Sequence, residues 1–282
     1  MTQLTSLSMW SCDEDMKNNT TFLEPLTNMV KLRLGSLSPL PCGFRTVSTM
    51  RGLRHLKMHG LLASDKEYDY GPDALSRVTN LAVLHWHACG QLTEHCIDSV
   101  AHLRNLTELS FADVAFPDNL TSFSALAWLR KLTLSSHSSE KFTITDDQMH
   151  DMCNLPSLSY LKLKYAGLTD SACSRLSCLA SLQQLEIKGH HALTHVVYEH
   201  VGKVGTLRSL LVEGGNILCL LQRKVNNFST LTRLQEAVFN LSVTHPRLHA
   251  ECLKAESLLK QLLPYASICY YNTDSSTRES QV

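Results

Sequence analysis

One short pattern recurs along the whole chain and constrains its fold more than any other feature. It consists of a leucine, two variable residues, a second leucine, one variable residue and an apolar residue. Ten copies occur at intervals of 23 to 29 residues, and they begin at Leu4, Met29, Leu53, Leu81, Leu106, Leu129, Leu158, Leu182, Leu207 and Leu234. The last copy is degenerate, with Ala237 in place of its second leucine. A fixed period of this size indicates a repeat protein, in which each repeat packs on the next.

Each copy predicts a short β-strand. The alternation of leucine and variable residues places the leucines on one face of the strand and the variable residues on the other. A single strand cannot bury its own leucine face, but stacked copies would form a parallel sheet with a continuous core. We therefore predict ten parallel strands lying side by side.

The segments between the strands predict helices. Four of them share a threonine that suits a helix N-terminus, followed by apolar residues three or four apart, and these threonines are Thr93, Thr145, Thr169 and Thr194. An acidic residue follows three of them, where the helix dipole favours negative charge. In another segment Pro72 suits the first turn of a helix. The prediction is an α/β solenoid with strands on its concave side and helices on its convex side.

The repeats resemble the leucine-rich-repeat superfamily over nearly the whole chain, and within it the cysteine-containing and ribonuclease-inhibitor-like classes. The ten strand motifs and the Leu168-Thr169-Asp170 turn with its equivalents carry this likeness. Cys12 and Cys89 lie three residues after a strand, where the cysteine-containing class places its cysteine, although the other eight repeats differ there. The resemblance implies a horseshoe-shaped α/β leucine-rich-repeat solenoid that binds another protein and is not an enzyme.

Two other roles are open at this stage. Similar arrays form the substrate-receiving part of F-box proteins, so the resemblance also implies a substrate receptor of a ubiquitin ligase. No F-box precedes the first repeat at Leu4, which counts against that role. The third role is a structural subunit of a large assembly.

The array is predicted to span residues 1–271, with a polar, disordered tail over 272–282. Near its end, "HPRLHAECLKAESLLKQLL" predicts a capping helix with one apolar face, made of Leu248, Cys252, Ala255, Leu259 and Leu262, and "ASICYY" predicts a last strand. The N-terminus enters its first strand without a cap. We expect an open edge there that a partner or a missing segment covers.

Composition narrows the partners and the compartment. Lys+Arg and Asp+Glu both number 26, so no global charge favours nucleic acid or an acidic membrane. No apolar run reaches the ~18 residues of a membrane span, and no secretion signal begins the chain. The ten cysteines are scattered and are expected to be reduced. We therefore expect a protein partner, no nucleic acid, no membrane and a cytoplasmic location, with the nucleus as the alternative.

The main candidate site is a basic patch on the predicted concave face. Parallel stacking places equivalent outward residues in columns, one of which begins at Arg33 and the next at Gly35. On the second, third and fourth strands this groups seven outward residues, which are Lys31, Arg33, His55, Lys57, His59, His85 and His87. The patch has three interpretations: a solvated surface, a surface that binds an acidic protein, or a metal site formed by the histidine pairs. If it binds an acidic partner, histidine protonation near pH ~6.5 should strengthen binding on acidification.

Other candidates are weaker. Lys162, Lys164 and Lys188 form a smaller basic cluster, which we expect to be solvated but which could extend the partner surface. Cys173 and Cys178 are expected to pack in the core from one helix. The sequence has no nucleophile elbow, paired carboxylates in a defined cleft or phosphate-binding loop, so we predict no catalytic residues, no metal and no cofactor.

Overall fold

The fold was obtained as a computed structural model, in which residues 3–10, 23–35, 46–60, 75–88, 92, 94–114, 123–136, 144–189, 192–213, 228–240, 257–264 and 267–271 are described. Several predictions fall outside these residues. They include the class-defining Cys12 and Cys89, the helix starts at Pro72 and Thr93, and the tail from residue 272.

In the described part of the chain, eleven strands form one parallel sheet, and their order in the sheet is their order in the chain. The strands are β1 (Ser6–Trp10), β2 (Lys31–Gly35), β3 (His55–His59), β4 (Val83–His87), β5 (Glu108–Ala112), β6 (Lys131–Ser135), β7 (Tyr160–Lys164), β8 (Gln184–Lys188), β9 (Ser209–Val212), β10 (Glu236–Asn240) and β11 (Ser267–Tyr271). The first ten are the strands that the repeat pattern predicts, and β11 is the predicted C-terminal strand. The α/β leucine-rich-repeat solenoid is thus confirmed.

The core consists of side chains that recur at the same positions of successive repeats. The first leucine position, the second leucine position and the final apolar position are each buried from β2 to β10. The final position varies most in size, since it holds Leu34, Met58, Trp86, Phe111, Leu134, Leu163, Ile187, Val212 and Phe239. Each full burial of such a side chain contributes roughly 1.5–3 kcal/mol relative to its exposure. Stacking of the repeats therefore stabilises every strand through its neighbours.

Backbone hydrogen bonds repeat with the same period. The carbonyl that precedes each strand accepts from two successive N–H groups of the next repeat; Val30, for example, accepts from Arg54 at 2.9 Å and from His55 at 3.0 Å. After β3, β4, β5, β7 and β8 the next residue takes a positive φ. This position is glycine in two repeats, but Ala88, Asp113 and Tyr165 take it in the other three.

Between β4 and β9, four α-helices lie within the described residues. They are α1 (Glu94–Ala101), α2 (Asp146–Cys153), α3 (Asp170–Cys173) and α4 (Val196–Val201). Thr145 caps α2 in a capping box with Gln148, and Thr169 caps α3 by accepting from Ala172 at 3.2 Å. The predicted cap at Thr194 is displaced by one residue, because α4 is capped at His195, and the Thr194 hydroxyl accepts from Val196 at 3.2 Å.

The two ends of the array differ. Residues 257–262 are helical. Leu259 is buried, the predicted Leu262 is partly buried against the same core, and Leu263 is buried just after the helix. The other predicted residues of this apolar face, Leu248, Cys252 and Ala255, lie outside the described residues. At the other end β1 is an edge strand, whose Leu7 and Met9 are only partly buried against the core. Within the described residues, no helix combines the length and apolarity that crossing a membrane requires.

The contribution of the α2 capping box to stability can be tested by mutation. We expect Thr145→Ala to lower the free energy of unfolding by about 1 kcal/mol, because the N–H of Gln148 loses its acceptor. Urea unfolding followed by circular dichroism would measure this loss. The matched control is Thr79→Ala, at an exposed threonine outside the helices. An equal loss in both variants would contradict the capping role.

Candidate functional site

The concave face is defined here as the outward side of the sheet, opposite the core. The strand register places its residues in three columns. The second column runs Ser8, Arg33, Lys57, His85, Ser110, Thr133, Lys162 and Glu186, as the sequence predicts from Arg33 onward. The register also confirms that the seven residues of the basic patch lie on adjacent strands of one face.

Three cations of the patch have no carboxylate partner among the described residues. Lys31 and Arg33 are exposed on β2, and Lys57 is partly exposed on β3. In the part of the chain that the structure describes, no carboxylate lies within 4.0 Å of their charged groups. Their charge acts on His55, whose pKa is lowered by burial and then by Lys31 and Lys57. This corner of the face is therefore positive at neutral pH without any protonated histidine.

His85 and His87 are not the solvated side chains that one interpretation of the patch predicts. Both are half-buried, and their rings stack with centroids 5.3 Å apart. His85 Nε2 lies 2.7 Å from Glu108 Oε1, and His87 Nε2 lies 2.7 Å from the hydroxyl of buried Ser110. The pair is thus fixed by hydrogen bonds to the next strand, β5.

The packing of His85 and His87 changes the pH dependence that we expect for partner binding. Burial, together with smaller contributions from the nearby His85 and His59, lowers the pKa of His87 to about 4. Burial also lowers the pKa of His85, although its hydrogen bond to Glu108 opposes the shift. The two rings are therefore neutral at neutral pH. The expected strengthening near pH ~6.5 is wrong for these two histidines, because their protonation requires a lower pH.

The second half of the face holds an ion-pair network instead of free lysines. Glu186 on β8 accepts a hydrogen bond from the Tyr160 hydroxyl at 2.7 Å, and Lys162 Nζ lies 3.1 Å from its other oxygen. Lys188 lies 3.9 Å from Glu186 and 3.8 Å from Glu213. Burial raises the pKa of Glu186, but these partners outweigh it and hold that pKa below its usual value. The expectation that Lys162 and Lys188 are simply solvated is therefore wrong, while Lys164 lies 5.0 Å from the Tyr165 ring centroid.

The concave face accordingly has two parts that differ in net charge. From β1 to β4 its outward positions hold three cations and no carboxylate. From β5 to β10 they hold Lys131, Lys162, Lys164 and Lys188 against Glu108, Glu186, Glu213 and Glu236. A partner that recognises positive charge would therefore bind β2 and β3.

Sequence reasoning missed Glu108 and Trp10. Glu108 belongs to the first column, next to Lys131, whose Nζ lies 3.9 Å from its carboxylate. Trp10 belongs to the third column, because it pairs with Gly35. Extending the predicted columns to every outward position would have found both residues.

The centre of the face forms an open groove of about 520 Å³, lined by His85, His87, Glu108, Tyr160 and Lys162 among others. Its lining includes hydroxyls and charged groups of both signs, so it can bind a ligand by hydrogen bonds. Within the described residues no three His, Cys, Asp or Glu side chains are arranged to hold a metal ion.

Cys173 and Cys178, which we expected to pack together in the core, lie in different environments. Cys173 is buried in α3, whereas Cys178 is exposed at the end of a 3-10 helix, Ser174–Cys178. The expected single helix is therefore wrong, because the α-helical hydrogen bonding stops after one turn. Burial raises the pKa of Cys173, so its thiol stays protonated.

The buried histidine pair can be tested by NMR. We expect the ring signals of His87 to titrate with a midpoint of about 4, because burial disfavours its charged form. Since this pKa lies below the unfolded value of about 6.5, the stability that neutral His87 contributes is present above pH 6.5 and is lost as pH falls towards 4. Exposed His102 is the internal reference. A midpoint near 6.5 for His87 would contradict its burial.

Comparison with known proteins adds information on the fold. No protein-family model and no curated protein sequence matches the chain. An internalin (inlF) from Listeria monocytogenes is similar in structure, with a TM-score of 0.54 and 15% identity, over 91% of this chain and 73% of that chain. TLR13, solved in complex with ssRNA13, gives a TM-score of 0.51 and 17% identity over 92% of this chain, which spans 39% of the TLR13 chain. Likeness at this identity shows the fold alone, and the chain is an α/β leucine-rich-repeat solenoid.

Proposed function

We propose that the protein is a non-enzymatic interaction module whose concave face binds an acidic segment of another protein. The observation that carries this proposal is the charge division of the face. Lys31, Arg33 and Lys57 have no carboxylate neighbour in the described residues, whereas the cations on later strands share the face with an equal number of glutamates. Complementary charge on a partner would speed association and favour this corner.

The architecture supports binding without much conformational cost. Eleven paired strands at ~4.8 Å spacing give a face of roughly 50 Å, which is ample for a standard interface. The face is held by continuous strand pairing, so binding would order few residues. The roles of ubiquitin-ligase substrate receptor and of assembly subunit stay predictions that no contact in the structure favours.

The test is charge reversal at the uncompensated cations. We expect Lys31→Glu, Arg33→Glu and Lys57→Glu together to weaken partner binding by at least about tenfold, because three attractions become repulsions. Affinity purification with mass spectrometry would identify the partner, and titration at two salt concentrations would measure binding. His85 and His87 should be left unchanged, because a glutamate at residue 85 would face Glu108 and a change at residue 87 would remove the hydrogen bond to Ser110.

The matched control reverses three exposed cations outside the concave face: Arg104, Arg175 and Lys203. This control changes the net charge of the protein by the same amount, so it separates the effect of the location of the cations from the effect of total charge. We expect the control to bind as the wild type does. Equal weakening in both triple variants, or in neither, would contradict the proposal.

A further inference from the structure

An exposed tryptophan lies on the concave face beside the three cations. Trp10 ends β1, and 59% of its surface is exposed. Its indole lies over Gly35 of β2, where a Cβ would collide with the six-membered ring. The indole N–H donates to the Ser8 hydroxyl at 3.0 Å. The missing side chain of Gly35 thus lets the indole lie on the sheet with its outer side open to solvent.

Trp10 begins a row of rings that crosses the basic patch. The ring centroids of Trp10 and His59 are 6.0 Å apart, and those of His59 and His87 are 6.4 Å apart. This row occupies the third column, and Arg33 and Lys57 lie in the second column of the same strands. A flat apolar surface and uncompensated positive charge are therefore adjacent.

This juxtaposition restricts what can stack on Trp10. Indole rings often bind cations, but Arg33 and Lys57 repel a cation at this place. An aromatic ring is attracted to the indole by offset or edge contacts, and because it carries no charge it is not repelled by Arg33 and Lys57. Carboxylates on either side of that ring would meet the cations. Tryptophan is also enriched among the residues that dominate binding energy at interfaces.

We infer that the acidic segment bound by the concave face carries an aromatic side chain that packs on the exposed outer side of the Trp10 indole. This inference rests on the proposed function and specifies its partner. Single-stranded nucleic acid also combines rings with negative charge. It is disfavoured because the described residues of the patch hold three uncompensated cations, and because the later strands balance their lysines with glutamates and so add no net attraction for its backbone.

The probe is a short peptide of glutamates with one central phenylalanine. Its companions replace the phenylalanine with alanine, or the glutamates with lysines, and an oligouridylate of equal length is the nucleic-acid probe. Binding is measured by fluorescence anisotropy of labelled probes at low salt. For the wild type we expect the phenylalanine peptide to bind about three- to tenfold more tightly than the alanine peptide, and the lysine peptide to bind least.

Four variants localise this preference for the ring. Trp10→Ala should abolish it, and Trp10→Tyr, which keeps an aromatic ring, should retain most of it. Gly35→Ala should reduce it, because the added Cβ displaces the indole without removing it. Trp128→Ala is the matched control, since Trp128 is 63% exposed in the turn before β6, outside the concave face. Circular dichroism checks that each variant folds.

The outcomes separate this inference from the proposed function. Equal binding of the phenylalanine and alanine peptides, with both lost on reversal of Lys31, Arg33 and Lys57, would overturn the ring contact and leave the acidic partner supported. Binding that is insensitive to this charge reversal would overturn both. Tighter binding of the oligouridylate, lost in Trp10→Ala, would replace the acidic protein segment with nucleic acid. A ring preference that disappears in Trp128→Ala would also overturn the contact at Trp10.

Discussion

The structure depends on the pairing of each repeat with its two neighbours. No strand can bury its leucine face alone, so the strands stack in register and the same backbone bonds recur at every step. This pairing fixes the inward columns, in which a leucine or another apolar residue fills each position. It fixes the outward columns equally, because side chains alternate along a strand. The repeat that builds the core therefore also determines which polar side chains become neighbours.

Neighbouring positions in a column are ~4.8 Å apart, which is close enough for charges to interact strongly. Between β7 and β8 this places Lys162 opposite Glu186, and the result is an ion pair. Between β2 and β3 it places Arg33 opposite Lys57, and the result is concentrated positive charge. The same geometry thus neutralises one half of the concave face and charges the other. Only the charged half offers an electrostatic reason to bind a partner.

The sequence predicted what the period determines. All ten strands and the two outward columns that begin at Arg33 and Gly35 follow from counting residues between leucines. It could not predict features that depend on side-chain packing, such as the stacking of His85 on His87 or the shift of the α4 cap to His195. Ala88, Asp113 and Tyr165 adopt a positive φ that local preference would reserve for glycine, because the repeat requires that turn. The exposure of Cys178 was not predicted, because the sequence pattern did not show that α3 ends after one turn.

The half-buried histidines lie at the boundary between the two halves of the face. If His85 and His87 were protonated at neutral pH, the positive region would extend across β4 towards Glu108. Burial keeps both neutral there, so each contributes hydrogen bonds and ring surface instead of charge. The positive charge near Trp10 then comes from lysine and arginine, which do not titrate near neutral pH. His85 and His87 should therefore add no charge to recognition on this face around neutral pH, and they should add positive charge only at acidic pH values that protonate this pair.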